Sequence, residues 1–312
     1  MSDSWPWHGR VDDTEGPEAL RWHQVVRPHE AGVSPGIALL GFACDEGVRR
    51  NQGRPGAAGG PAALRRALAN LAWHGNLPLW DAGDIACTDG DLEAAQDRLA
   101  GKVAALVEAG HRPIVLGGGH ETAWGSFQGL AGAQPSRRIG VVNIDAHFDL
   151  RRSERASSGT PFAQIAGWCR RAGTPFHYLV VGIAEPANTA ALFATAKGHG
   201  ARWWLDEAVS EPRLPELTNE IAAFAAQVDA LYLSLDLDVL PASVMPAVSA
   251  PAARGVALEL VEAVIDAVRA TGKLALADIV ELNPAFDQDG RGARTAARLA
   301  WRLARSQDPG EN

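Results

Sequence analysis

The chain has 312 residues, 46% of them hydrophobic and 21% charged, with a formal charge of −8 at pH 7, a balance that predicts a globular protein with a large core. An acidic sum without a basic stripe excludes a nucleic-acid surface; MSDSWPWHGRVDD at the N-terminus has no basic region followed by an apolar one, and no apolar run reaches membrane-spanning length. The odd number of cysteines, Cys44, Cys87 and Cys169, without metal or redox spacing, predicts reduced thiols and a cytoplasmic setting.

In chain order, apolar runs of strand length begin at 37 (IALLGFAC), 77 (LPLWDAGDI), 112 (RPIVLGGG), 139 (IGVVNIDA), 177 (HYLVVGIA), 201 (ARWWLDEAV), 231 (LYLSLDLD) and 273 (KLALADIVEL). Helical stretches such as 61–73, 91–110, 257–270 and 293–305 lie between or after them. Repeated β–α alternation with strands apolar on both faces predicts a parallel sheet covered by helices on each side. A (β/α)8 barrel is the alternative, since eight strands is also its number. In both architectures sites form beyond the C-terminal strand ends. No linker, repeat or low-complexity segment breaks the pattern, so one domain is expected.

Those strand ends carry the polar residues. RPIVL runs into GGGHE with His120, IGVVN into IDAHFDLR with Asp145, His147 and Asp149, and LYLS into LDLDVL with Asp236 and Asp238. Spacings of i, i+2 and i+4 on extended backbone point each set to one face. Burying even one unpaired carboxylate costs several kcal/mol, so a cationic partner is required. Four carboxylates carry about −4, which two divalent cations neutralise, with the two imidazoles as neutral ligands. Mixed Asp/His ligation without cysteine favours a harder ion such as Mn2+, although Zn2+, Fe2+, Co2+ and Ni2+ accept the same donors. GGG also suggests a phosphate loop, but no Lys-Ser/Thr pair follows and GxGxxG is absent.

GGGHE, NIDAHFD, SLDLDVLP and the late VELNPAFD resemble, in order and separation, the signature blocks of the ureohydrolase family of arginases, agmatinases and formimidoylglutamases, over nearly the whole chain. The resemblance implies a three-layer α/β/α fold around an eight-stranded parallel sheet, with 1–312 as one catalytic domain and 1–35 as an extension packed on it. It implies two Mn2+ ions and hydrolysis of a C–N bond in a guanidine or amidine. One ion would be held by His120, Asp145, Asp149 and Asp236, the other by Asp145, His147, Asp236 and Asp238, so that Asp145 and Asp236 bridge. Glu281 matches the family glutamate that pairs with the cationic substrate group, and Asp149 is the expected proton relay. An oligomer of three or six is also implied.

GFACDEGVRRNQGRPGAAGGPAALR, WHGRVDD, SSGTPF and GIAEPANTAALF resemble the formimidoylglutamase branch. Phe162 stands where arginases carry a proton-shuttle histidine, and Ser158 where agmatinases have a histidine. Asn188 and Thr189 stand where arginases place acids for the free α-amine. The implied substrate is N-formimino-L-glutamate, split to glutamate and formamide in histidine degradation. Its carboxylates call for cationic partners: Arg151 is the leading candidate, with Ser158, Arg54 and Asn188 as further substrate contacts. The alternatives are an arginase, agmatinase or guanidinobutyrase acting on another guanidine or amidine, a deacetylase with one Zn2+, and a metal-binding relative without activity.

Overall fold

The structure, a computed structural model, describes residues 5–305 apart from 13, 15 and 17. Its strands are β1 Arg27–Pro28, β2 Ile37–Ala43, β3 Leu79–Ala86, β4 Arg112–Leu116, β5 Ile139–Ile144, β6 His177–Ile183, β7 Arg202–Leu205, β8 Ala230–Asp236 and β9 Leu274–Val280. The helices are α1 Trp22–Val25, α2 Glu46–Arg50, α3 Gly60–Leu68, α4 Leu92–Glu108, α5 Thr122–Ala133, α6 Pro161–Ala172, α7 Ala190–Gly198, α8 Leu214–Ala225, α9 Leu258–Ala270 and α10 Arg291–Ala304. Among the described residues, no helix is long and apolar enough to cross a membrane.

All nine strands join one parallel sheet in the order β1-β3-β2-β4-β9-β8-β5-β6-β7. The sheet is open, with β1 and β7 at its edges, so the barrel alternative is excluded. Every one of the eight expected strands is present. The ninth, β1, is two exposed residues paired with β3 at the edge, where proline's missing N–H does no harm to the ladder.

Alternation along the strands divides the core into two layers. Ile37 and Leu39 of β2 join α3, α8, α9 and α10 on one face, while Ala38, Leu40 and Phe42 join α4, α5 and α6 on the other. This is why the central strand sequences read as continuous apolar runs: residues on either face have a helix layer to bury against. Local signals fix the helix ends. The Asp91 carboxylate accepts the Ala94 N–H at 3.0 Å to start α4, and Pro161 opens α6, which Gly173 closes at φ 68°.

Besides the pairing of β1, a polar node fastens the segment before β2 to the sheet. Asp81, on β3, accepts from Trp7 Nε1 at 2.7 Å and from Arg65 Nε at 2.8 Å and Nη2 at 2.9 Å. Trp7 stacks on Trp22, and Trp73 packs edge-on against Trp22.

Candidate active site

The four polar blocks are scattered from residue 117 to 287 in sequence, yet they lie at the ends of β4, β9, β8 and β5, which are consecutive in the sheet. Register keeps their ends level: Ile144 of β5 pairs with Leu235, and Asp236 of β8 with Val280. The glycine turn after β4 serves close backbone approach, since a Cβ on Gly118 would run into the Cys44 carbonyl. Gly119 N–H donates to that carbonyl at 3.0 Å, and Glu281 N–H to the Gly118 carbonyl at 2.8 Å. His120 is thereby delivered to the mouth of the sheet.

Around His120 Nδ1 lie Asp149 Oδ2 at 3.0 Å, Asp236 Oδ2 at 3.0 Å and Asp145 Oδ2 at 3.3 Å. His147 Nδ1 lies 3.1 Å from Asp238 Oδ2 and 3.5 Å from Asp145 Oδ1. Two groups able to hold a metal ion result, His120–Asp145–Asp149 and Asp145–His147–Asp238, each with its donor atoms within 4.8 Å of one another. Asp145 is common to both. Asp236 stands beside the first group at His120, outside both tight triads, with its Oδ1 accepting the Asp238 N–H at 2.8 Å. Asp149 reaches in from a left-handed backbone, φ 48°, a conformation aspartate tolerates better than most residues.

The donor set fits divalent cations. His120 Nδ1 and Asp238 Oδ1 are buried without a hydrogen-bond partner, the state expected of ligand atoms whose partner is an ion. The opposite ring nitrogen of His120 is committed: Ser234 Oγ donates to Asp278 Oδ1 at 2.7 Å and therefore accepts from His120 Nε2 at 2.9 Å. That bond turns the Nδ1 lone pair toward the carboxylates.

The electrostatics point the same way. Burial would lower His120, but Asp145, Asp149 and Asp236 push it well above its ordinary value, and Asp238 and Asp145 do the same for His147. Burial would raise Asp145, but the two histidines beside it hold it below the usual carboxylate range. Burial raises Asp149, and burial with Asp238 and Asp145 nearby raises Asp236. Without metal, imidazolium protons balance the crowded carboxylates; cations would take over that role and release the protons.

A cavity of about 290 Å3 opens onto the cage, and His120, His147, Asp149, Asp236 and Asp238 line it. Glu281 lines it too, 4% exposed and held at φ 71°. Its Oε1 accepts the His120 N–H at 2.8 Å, while Oε2 is buried with no partner. Burial, with Glu121 and Asp238 nearby, pushes its carboxyl up to about 8. A cation presented there would gain a buried carboxylate oxygen that nothing else satisfies.

The expected substrate contacts fare differently. Arg151 and Ser158 line the cavity. Arg54 also lines it, but its Nε donates to the Ser249 carbonyl at 3.0 Å, its Nη2 to the Val248 carbonyl, and its guanidinium lies 3.9 Å above the Phe286 ring. Asn188 lines the cavity as well, with its amide engaged by backbone. Its Nδ2 donates to the Ala146 and Ala184 carbonyls, both at 2.9 Å, and its Oδ1 accepts the Phe148 N–H at 3.1 Å. With both amide protons used, it braces the loop that carries His147.

Sequence reasoning missed the supporting residues. Asn143 donates to Asp145 Oδ2 at 2.8 Å and to the Tyr178 hydroxyl at 3.0 Å, and Tyr178 donates to the Phe148 carbonyl at 2.9 Å. Tyr232 donates to Asp278, the same carboxylate that orients Ser234. A signal existed: Asn143 and Ser234 each stand two residues before a cage aspartate, on the same strand face. Asn51, Gln52 and Ser249 also line the cavity.

Comparison with known proteins accords with this arrangement. Residues 35–305 match the arginase family. The chain is 59% identical over 305 residues to the formimidoylglutamase of Chromobacterium violaceum, covering 98% of this chain and 99% of that one. It is 58% identical to the formimidoylglutamase of Aeromonas hydrophila, with coverage of 95% and 96%. Among solved structures it is similar to a Trypanosoma cruzi formiminoglutamase with Mn2+2, at 30% identity and TM-score 0.78 over 86% of this chain and 92% of the other. A formimidoylglutamase from Bacillus subtilis shares the fold at TM-score 0.84 and 22% identity, over 92% of each chain.

Proposed function

This chain belongs to the arginase family, and we propose on that premise that it is a formimidoylglutamase, hydrolysing N-formimino-L-glutamate to L-glutamate and formamide. The observation that carries the chemistry is the buried, unpartnered Glu281 Oε2 beside a His/Asp cage in one cavity. Such an oxygen suits an amidinium, and Arg151 on the same cavity wall suits a carboxylate.

His120, Asp145, His147, Asp149, Asp236 and Asp238 would hold two Mn2+ ions, with Asp145 and Asp236 shared. When bound, such ions supply Lewis acidity, lowering the pKa of a water toward neutrality and drawing charge from the reacting centre. Glu281 orients the formimino group through Oε2 while its Oε1 stays on the His120 N–H. Water adds to the formimino carbon, and the bond from that carbon to the glutamate nitrogen breaks. The departing amine needs a proton, and Asp149, at the cage edge and on the cavity wall, relays it from the attacking water. Phe162, fully buried and 5.2 Å edge-on from the His120 ring, offers no group that could shuttle a proton beside it.

The same reading takes residues 1–312 as one catalytic unit with 1–35 as its extension; 1–4 and 306–312 lie outside the described residues. A cytoplasmic setting and an assembly of three or six chains belong to it as well; three free thiols accord with a reducing compartment. The deciding experiment is a hydrolysis panel of formiminoglutamate, arginine, agmatine and guanidinobutyrate, run with Mn2+ and with chelator. Formamide and glutamate should appear together, only from formiminoglutamate and only with metal. Ammonia with formylglutamate, or urea from arginine at a comparable rate, would overturn the proposal.

A further inference from the structure

Arg151 and Asn51 approach the same point from two different loops. A Cβ built on Gly159 would lie 2.8 Å from Arg151 Cδ and 3.2 Å from both Arg151 Nε and Asn51 Nδ2. The Arg151 backbone N–H donates to the Gly159 carbonyl at 3.0 Å, so the arginine is tied to this glycine before its side chain extends. Ser158 is the next residue back and lines the cavity with both of them. Among the described residues, no hydrogen bond or ion pair engages the Arg151 guanidinium, the Asn51 amide or the Ser158 hydroxyl.

We infer that Asn51, Arg151 and Ser158 form a carboxylate cradle whose floor is Gly159, with Asn51 as a specificity-determining residue. The inference rests on the formiminoglutamate reading and adds to it the residue that shares the carboxylate with Arg151. The cradle offers a cation, an amide N–H pair and a hydroxyl, and the carboxylates that line the same cavity are those of the cage and Glu281. Two acids beside the end of α2 are already engaged. Arg50 takes Glu46 at 3.0 Å and Glu93 at 2.7 Å, and its Nη1 also donates to the Ala156 carbonyl at 3.2 Å. That last bond pins the end of α2 to the 156–159 loop and so fixes Asn51, the next residue, over Gly159. Asn51 and Arg151 also line the outer cavity of about 570 Å3, which Arg152 borders and no acidic residue lines. An anion entering from solvent therefore meets the cradle before it meets the carboxylates of the cage.

The test is steady-state kinetics on formiminoglutamate with Mn2+, comparing the parent enzyme with Asn51→Ala, Asn51→Asp and Gly159→Ala, alongside metal content. Loss of one charge-assisted hydrogen bond should raise KM about tenfold in Asn51→Ala, with kcat and metal content nearly unchanged. Asn51→Asp puts a like charge in the cradle and should raise KM further. Gly159→Ala should fold, because the added methyl displaces the flexible Arg151 side chain, and it should raise KM as well. KM within twofold of the parent in both Asn51 variants overturns the inference. If the parent does not turn over formiminoglutamate, the functional reading fails, and the cradle is then judged by calorimetry with L-glutamate. Binding at least tenfold weaker in Asn51→Asp supports it; equal or absent binding in parent and variant overturns it.

Discussion

The Glu281 side chain accepts the backbone N–H of His120 at 2.8 Å, so the carboxylate proposed to hold the substrate's cation is fastened to the residue proposed to hold a metal. One oxygen sets its position; the other is buried and without a partner, in a residue that lines the cavity. Glutamine can keep the first bond through its amide oxygen but loses the charge. Glu281→Gln should therefore lower kcat/KM for formiminoglutamate by roughly 10²-fold, the scale of a charge-assisted contact worth ~2–3 kcal/mol. Metal content, measured by atomic emission, should stay at the parent value; normal kinetics would place Glu281 outside the chemistry.

Asp145 is shared by both candidate metal groups, whereas His147 belongs to one. Asp145→Ala should strip both ions, and His147→Ala should leave about one per chain. Equal metal content in the two variants would contradict the sharing.

Ser234 touches His120 only on the nitrogen that faces away from the cage. Ser234→Ala should weaken Mn2+ affinity by about 10–100-fold, as removal of such an orienting partner does elsewhere. Activity should recover at saturating Mn2+. Unchanged affinity would mean that the ring is held by packing alone.

Stability of the metal-free protein should fall as pH rises. Burial raises Glu281 from an ordinary 4.5 to about 8 and Glu121 to about 7, and the surrounding carboxylates raise His120 and His147 above 6.5. The folded state thus binds more protons than the unfolded one between about pH 4.5 and 8. Stability from these groups is complete below 4.5 and is lost as pH climbs through the folded values. Asp145 acts oppositely, and its contribution is lost only on acidification. In chelator, Tm should be lower at pH 8 than at pH 6, and added Mn2+ should raise Tm more at pH 8, where fewer protons must be displaced. A smaller Mn2+ shift at pH 8 would refute this.

Strand sequences revealed most of the fold because the central strands, buried on both sides, had to be apolar on both faces. β1 escaped notice because two exposed edge residues, one of them proline, carry no such pattern. The cage was legible for a related reason: acids and histidines at i, i+2 and i+4 have no business at the end of a buried strand unless a cation meets them. Asp278 was not, since a single carboxylate inside LALADIV shows its purpose only when Tyr232 and Ser234 arrive from β8. Asn188 and Arg54, expected as substrate contacts, both line the cavity, but sequence could not show that backbone carbonyls already occupy the Asn188 amide and two nitrogens of Arg54.

The cage and Glu281 follow four neighbouring central strands, while Asn51, Arg151 and Ser158 come from turns beyond them. Arg151 lies only two residues beyond Asp149, so the segment that completes the cage runs straight into the one that meets the carboxylate, and the two roles divide at that point of the chain. A transplanted 151–160 turn from a relative with a different substrate should leave ion binding intact and change what is cleaved. The protein is in that sense a fixed hydrolytic bed with an interchangeable rim, an inviting starting point for redesigning amidine specificity.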